Sequence, residues 1–301
     1  MNVATITVTY HRVELLNKSV SAHLNQSKQS DVILVVNNAS TDGTTIYLDE
    51  LENRFKNIRV INLKENTGGA GGFYYGLNFL KDEMDTIDWV WMMDDDAIPN
   101  INALENLCKY AHNESNIYAS LPQEQGICSW SNLNMDSKEL KFVNNYNEIE
   151  EVKWAPFLGF FISLDLVKMI GLPNKGYFLA ADDVEYSMRA KKYGSQIFIV
   201  RDSILNHPLS DTYKISIGYR SLTNLRLIPW KRYYDTRNRI FIAKKYYGLR
   251  LYTQTIPASF LRLMATLIYE TNRLKQAKAF WAGLYDGMLG KQGKRHDYWE
   301  L

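Results

Sequence analysis

Four apolar segments in the first hundred residues each run straight into a polar cluster, and this limits the fold more than any other feature of the chain. Residues 3–9 alternate as a half-buried strand does. Residues 32–36 read Val-Ile-Leu-Val-Val, an unbroken apolar run suited to a parallel strand covered on both faces. Residues 58–63 and 89–93 supply a third and a fourth strand, and 14–26, 45–55 and 73–83 carry helical patterns between them. Strand and helix in alternation predict a doubly wound α/β sheet. In such a sheet ligands bind beyond the carboxyl ends of the strands. The clusters at 9–12, 37–44, 64–72 and 94–96 each follow a strand, so all four should converge on one edge.

The rest of the chain is less regular. Residues 112–150 are rich in Asn, Ser and Glu and read as an insertion or irregular strand region. Residues 154–162 read as a strand, 182–194 as a helix, 196–200 as a strand and 222–290 as largely helical. Phe260, Met264, Leu267, Leu274, Ala277, Trp281, Leu284 and Met288 fall on helical spacing and are expected to pack on the core rather than enter a membrane. With 46% hydrophobic and 23% charged residues in 301, disordered and low-complexity classes are excluded. Two cysteines exclude a disulfide scaffold and fit a reducing cytoplasm. The N-terminal residues show no secretory signal pattern, and no apolar run nears the ~18 residues of a spanning helix. Charge is unevenly spread. Residues 226–301 hold 15 Lys+Arg against 5 Asp+Glu, a balance of +10, and the remainder holds 20 against 28, a balance of −8. A basic end on an acidic body suggests an anionic partner, with a solvated surface as the plainer alternative.

Several constellations can carry chemistry. Asp94-Asp95-Asp96 follows a buried strand directly. Alternate residues of an extended backbone point the same way, so Asp94 and Asp96 can hold a hard divalent ion that in turn holds a diphosphate. A solvated turn is the alternative. In Asn66-Thr67-Gly68-Gly69-Ala70-Gly71-Gly72-Phe73, four glycines in five residues let a backbone approach a ligand ahead of a helix N-terminus, or simply form a flexible loop. Asp182 and Glu185 have capping-box spacing, which leaves Asp183 in the first turn, where a carboxylate can take a proton from a substrate hydroxyl. His207 suits a metal ligand in the company of Asp94 and Asp96. Asn37 or Asn38 can read a pyrimidine edge or close an Asx turn.

Taken together, Thr9-Tyr10-His11-Arg12, the run from Val35 to Thr44, Asp94-Asp95-Asp96 and Asp182-Asp183 resemble glycosyltransferase family 2 over roughly residues 3–210. The glycine cluster is similar to the galactofuranosyltransferase branch, as is Tyr233-Tyr234-Asp235-Thr236-Arg237-Asn238, which rhamnosyltransferases share. The resemblance implies an inverting enzyme of the GT-A (Rossmann-like) fold: a mixed, mainly parallel sheet with flanking helices, plus a C-terminal helical region. The catalytic domain would span 1–220, and a basic helical region at 221–301 would face the acceptor or a membrane surface. Asp94, Asp96 and His207 would bind Mn²⁺ or Mg²⁺, and Asp183 would be the catalytic base. Thr9, Tyr10, Arg12, Asn37, Asn66, Gly68, Gly69, Gly71, Gly72, Asp94 and Asp95 would line the nucleotide-sugar donor. Trp154 and Asp182 would line the acceptor. The family usually has Asp where this chain has Asn37, which alters the expected base contact. The expected donor is UDP-galactofuranose. The expected acceptor is a glycan on polyprenyl diphosphate in cell-surface polysaccharide synthesis, reached by peripheral contact with the inner face of the cell membrane. A rhamnosyltransferase using dTDP-rhamnose and a sugar-nucleotide pyrophosphorylase are the alternatives. No nucleic-acid module is recognised, so no nucleic-acid partner is expected.

Overall fold

The computed structural model describes residues 1–130, 142–217 and 220–301. The chain divides into two compact units. The first comprises 1–174 and 183–209, the second 175–182 and 210–301.

The first unit begins β1 (Val3–Thr9), α1 (Val13–Leu24), β2 (Val32–Asn37), α2 (Thr44–Arg54), β3 (Ile58–Asn62), α3 (Gly68–Glu83) and β4 (Trp89–Asp94). It continues with β5 (Ile98–Pro99), α4 (Ala103–Tyr110), β6 (Ile117–Glu124), β7 (Ile127–Cys128), β8 (Ile149–Glu151), β9 (Leu158–Ser163), α5 (Leu164–Ile170), α6 (Asp182–Lys192) and β10 (Ile197–Asn206). The sheet order is β3-β2-β1-β4-β9-β6-β10-β5, with β7 added on β6 and β8 on β10. The block β3-β2-β1-β4 is parallel, and β9 is antiparallel to both its neighbours, β4 and β6.

Side-chain alternation along the strands builds a core on each face. Val90 and Met92 join Ile6, Val8 and Phe73 and Leu77 of α3 on one side. Trp89, Trp91 and Met93 join Leu104 and Leu107 of α4 on the other. Register aligns the strand ends: Thr9 lies beside Asn37, Asn37 beside Asn62, and Val8 beside Asp94. The expected convergence of polar loops on one edge follows from this register.

Three sequence expectations are corrected here. The 112–150 region contains β6, a central strand. Its Pro122 and its mixed polarity hid it from an apolar-run reading. The part of that expectation on 131–141 lies outside the described residues. The strand expected at 154–162 begins at Leu158, leaving Trp154 in the preceding loop. Helix α3 starts at Gly68 rather than Phe73, so the glycine cluster is the helix's opening rather than a loop ahead of it.

The glycines have a packing reason. A Cβ on Gly72 would sit 2.4 Å from Val8 Cγ1, and one on Gly71 would sit 2.3 Å from Thr67 Oγ1, whereas Gly69 faces open space. Gly72 therefore lets α3 close onto β1, while Gly71 makes room for Thr67 at the helix's own N-cap. Gly72→Ala is expected to lower stability by about 2 kcal/mol through overpacking. Val8→Ala in the same chain should recover part of that loss, a coupling readable from urea midpoints of the single and double variants. Strictly additive losses would mean that Val8 is not what limits the approach.

The second unit holds the hairpin β11 (Thr212–Ile217) and β12 (Arg220–Leu225), then α7 (Pro229–Tyr246), α8 (Ile256–Tyr269) and α9 (Arg273–Leu289). A short π-helical stretch, Leu251–Thr255, leads into α8. Helix α9 lies against α7 through glycines: a Cβ on Gly283 would meet the Tyr233 carbonyl at 2.6 Å. The small residues therefore face inward. The expectation that the apolar stripe from Phe260 to Met288 packs on a core holds only in part: Leu284 and Met288 pack against Ile240, Ala243 and Leu251, while Met264, Leu274 and Trp281 face outward. Met264 is 58%, Leu274 88% and Trp281 54% exposed.

Candidate active site

The end of β1 and the turn after β4 meet in a charged cluster. Thr9 Oγ1 donates to Asp95 Oδ2 at 2.7 Å. Arg12, the residue before α1, places one guanidinium nitrogen 3.1 Å from Asp95 Oδ1 and 2.7 Å from Asp96 Oδ2. Three consecutive carboxylates repel one another, and Arg12 offsets that repulsion. Burial raises the Asp95 carboxyl above the ordinary carboxylate range, against the opposing pull of Thr9 and Arg12. For Arg12, burial opposes the charged form, but Asp95 and Asp96 outweigh it and hold the pKa above its usual value. Asp95 is thus a positioned, buried partner of Arg12.

Asp96 points its other oxygen elsewhere. The short strand β5 pairs antiparallel with the end of β10, Ile98 opposite Asn206, which carries His207 to the turn. His207 Nε2 lies 3.6 Å from Asp96 Oδ1. That oxygen and His207 Nδ1 are both buried without a hydrogen-bond partner among the described residues. A buried, unsatisfied carboxylate oxygen facing an imidazole is costly unless something else binds there. The donor set, one carboxylate and one imidazole, suits a divalent ion that takes its remaining ligands from water and phosphate. The expected trio is not gathered. Among the described residues no three His, Cys, Asp or Glu side chains come close enough to enclose a metal. Asp94 ends β4, whose register puts it opposite Val8.

The loops after β2 and β3 interlock. Asn37 Nδ2 donates to Thr45 Oγ1 at 3.0 Å and to Asn62 Oδ1 at 2.8 Å, and its Oδ1 accepts from the Ser40 amide. Its amide group is therefore engaged in shaping the loop. Asn38 does more than the sequence suggested. Its Oδ1 accepts from the Thr67 amide at 2.8 Å and its Nδ2 donates to the Gly68 carbonyl at 2.9 Å, tying the β2 loop to the start of α3. Asn66 Oδ1 accepts from the Gly68 amide at 2.8 Å, so it shapes the same turn. Tyr10 is exposed and stacks on His11 at 4.0 Å between ring centroids.

Trp154 meets Trp130 edge-on at 6.1 Å. Trp130 was not singled out in the sequence, and its indole N–H is buried with no hydrogen-bond partner among the described residues. Asp183 occupies the first turn of α6 and accepts from the Val184 amide at 2.7 Å, while Asp182 is buried. Glu185, expected in a capping box, turns to Arg189.

The segment leading into α6 belongs to the second unit. Phe178, Ala180 and Ala181 are all left-handed, with φ of 63°, 69° and 63°. Non-glycine residues adopt that region at a cost of roughly 1 kcal/mol or more each. Asn238 on α7 holds the strap by donating to the carbonyls of Tyr177, Leu179 and Ala180 at 3.0, 2.8 and 2.8 Å. Its neighbour Arg237 donates to the carbonyls of Gly176 and Tyr177 at 3.2 and 2.7 Å. The Arg-Asn pair of the 233–238 motif is therefore a clamp on the strap that ends at Asp182.

Comparison with known proteins bears on the whole arrangement. Residues 5–163 match the family described as Glycosyl transferase family 2. The galactofuranosyltransferase GlfT1 of Mycolicibacterium smegmatis is 26% identical over 275 residues, 86% of this chain and 87% of that protein. GlfT1 of Mycobacterium tuberculosis is 25% identical over 256 residues, 80% of this chain and 82% of that one. Among solved structures, a mannosyltransferase from Pyrobaculum calidifontis in complex with GDP-Man and Mn²⁺ superposes with a TM-score of 0.60 at 16% identity, covering 96% of this chain and 88% of that one. GalNAc-T7 with UDP, GalNAc and Mn²⁺ gives 0.65 at 13% identity over 96% of this chain, which spans only 56% of that longer one. These structures establish a GT-A-like fold, a mixed sheet with flanking helices followed by C-terminal helices. With the family match running over more than half the chain and galactofuranosyltransferases alike over most of it, the protein belongs to glycosyltransferase family 2.

Proposed function

We propose that the protein transfers galactofuranose from UDP-galactofuranose to a hydroxyl of a glycan acceptor, with inversion at the anomeric carbon. The observation that carries the sugar assignment is the similarity to GlfT1 along both chains rather than at a motif alone. In this reading residues 1–220 carry catalysis and 221–301 serve the acceptor side. The acceptor is a polyprenyl-diphosphate-linked glycan at the inner face of the cell membrane, in bacterial surface-polysaccharide synthesis. The +10 balance of residues 226–301 supports an anionic carrier.

The residues take the following roles. Thr9, Arg12 and Asp95 form a preorganised frame for the nucleotide end of the donor. Asn38, Asn66 and the opening glycines of α3 fix the loop beside it, with Tyr10 and Asn37 at its rim. Asp96 and His207 hold Mn²⁺ or Mg²⁺, with Asp94 near the same strand end. The bound ion supplies positive charge that offsets the charge growing on the leaving diphosphate. Trp154, with Trp130, offers an apolar face to an acceptor sugar, and Asp182 is assigned as a second acceptor residue. Asp183 accepts the proton of the acceptor hydroxyl. The oxygen of that hydroxyl forms the new bond to the anomeric carbon from the face opposite the departing UDP, whose glycosidic C–O bond breaks. One displacement turns an α-linked donor into a β-linked product with no covalent enzyme intermediate.

The test is release of free nucleotide from UDP-galactofuranose, UDP-galactopyranose and dTDP-rhamnose in turn, with Mn²⁺, with and without a galactose-containing acceptor. Acceptor-dependent release from UDP-galactofuranose alone is expected, lost in EDTA and restored by Mn²⁺. Turnover of dTDP-rhamnose in its place would overturn the sugar assignment and keep the inverting mechanism. Pyrophosphate formation from a nucleoside triphosphate would overturn both.

A further inference from the structure

Helix α8 is turned inside out. Its buried positions include the polar Ser259 and Thr266, and Arg262 is drawn inward. Each has a partner. Ser259 donates to the Thr255 carbonyl at 2.7 Å, Thr266 Oγ1 accepts from Asn224, and Arg262 donates to the Thr223 carbonyl at 2.9 Å. Its outward stripe is apolar throughout: Phe260, Leu261, Met264 and Ile268, the last two 58% and 60% exposed. A surface helix normally presents the reverse pattern. The stripe continues onto α9, because Phe260 meets Trp281 edge-on at 5.5 Å, and Trp281 shares helical spacing with the exposed Leu274, Tyr285 and Leu289. A contiguous exposed apolar face of this kind marks an interaction surface.

Exposed charge across residues 226–301 indicates what covers it, with Arg273, Lys275 and Lys278 on α9 itself. Within 226–301 nine Lys or Arg residues are exposed, against two acidic residues, Asp297 and Glu300. The other three acids are drawn inward into ion pairs: Asp235 with Arg239, Glu270 with Arg232, and Asp286 with Arg295. Burying the acids leaves the exposed charge almost wholly positive. Arg273 and Lys275 sit in the first turn of α9, and Lys278, 3.8 Å from Glu300, lies within its apolar stripe. Apolar residues with Trp and Tyr, set among cations, match the boundary between acyl chains and anionic headgroups. No helix among the described residues is long and apolar enough to cross a membrane, so the face would lie in the interface rather than span it.

We infer that the outward face of α8 and α9 is a docking surface for an anionic phospholipid bilayer, with Met264, Ile268 and Trp281 inserted at headgroup level. This deepens the lipid-linked-acceptor reading by assigning the surface that reaches the lipid. The test sediments the full chain with vesicles of phosphatidylcholine alone, or of phosphatidylcholine with phosphatidylglycerol at about one part in three. It uses neither donor nor acceptor, so it reads independently of the transfer reaction. Binding to the anionic vesicles at least about tenfold tighter than to the neutral ones is expected. Met264→Glu/Ile268→Glu should weaken it by about tenfold or more while leaving the melting temperature and turnover of a soluble acceptor unchanged. Undiminished binding of that variant would overturn the inference. Loss of binding in Lys275→Glu/Lys278→Glu while Met264→Glu/Ile268→Glu binds as wild type would likewise overturn it, showing charge without insertion. A wild-type dimer in sedimentation equilibrium that Met264→Glu/Ile268→Glu converts to monomer would show that a second copy covers the face instead.

Discussion

Asp183→Asn should reduce acceptor-dependent transfer by about a thousandfold, in the middle of the range for a lost general base. Asparagine has the same shape, and its side-chain oxygen can still accept from the Val184 amide as Asp183 does. What it cannot do is take the proton of the acceptor hydroxyl. The loss should therefore appear in kcat, with the UDP affinity within about twofold of wild type, because the Thr9–Arg12–Asp95 cluster proposed to hold the donor stands apart from it in sequence and is built on other elements. Calorimetric titration with UDP and single-turnover transfer on the same preparation separate the two quantities. Full transfer by the asparagine variant would remove Asp183 from the reaction.

The second large effect is on stability. Arg237 is fully buried, and its guanidinium donates to the carbonyls of Gly293, Tyr177 and Gly176 at 2.7, 2.7 and 3.2 Å. Its charge also lies over the Tyr234 ring at 4.7 Å. Burial lowers its pKa from the ordinary arginine value, so the surroundings repay only part of its desolvation. Arg237→Met fills similar volume but removes three hydrogen bonds from a charged donor, each worth about 1.5–3 kcal/mol, although the Gly176 carbonyl keeps the Gly293 amide and the Tyr177 carbonyl keeps Leu179 and Asn238. A loss of about 4 kcal/mol is expected, read from urea unfolding, with proteolysis in the second unit rising in parallel. Arg237→Lys should recover little of it, because one ammonium cannot reproduce the planar fork that reaches carbonyls on two segments. A loss below about 1 kcal/mol would mean that Asn238 alone holds the strap.

The sequence was most legible where burial is most uniform. Residues 32–36 and 89–93 are covered on both faces, so hydropathy alone marks them as strands, and their polar ends mark the edge where the loops converge. Strand β6 is just as central, but Ile-Tyr-Ala-Ser-Leu-Pro-Gln-Glu carries Pro122, a residue that usually signals a break. Glycine's low helix propensity similarly hid the first turn of α3, where close packing on Val8 overrides propensity. In the site, the Asp96–His207 encounter depends on a two-residue strand pairing, which no local pattern announces. Asn38 and Asn238 act by bridging backbone carbonyls and amides of other segments, and such roles leave no periodicity to read. Met264, Leu274 and Trp281 of the C-terminal stripe are exposed despite their hydropathy, because Gly283 and Gly287 let α9 pack on α7 through its small face.

The pairing of β5 with β10 also sets an order of events. Asp96 is made early and His207 late, with β6, β9 and α6 synthesised between them. A chain emerging from the ribosome can form the parallel block and the Arg12–Asp95–Asp96 cluster well before β10 exists. The imidazole arrives only when the last strand of the sheet inserts beside β6 and β5. Such a long-range closure is slow relative to local helix and hairpin formation. Nascent or truncated chains ending before Ile197 would thus keep the Arg12–Asp95–Asp96 cluster without the imidazole opposite Asp96, so the Asp96–His207 encounter becomes a marker of completed folding.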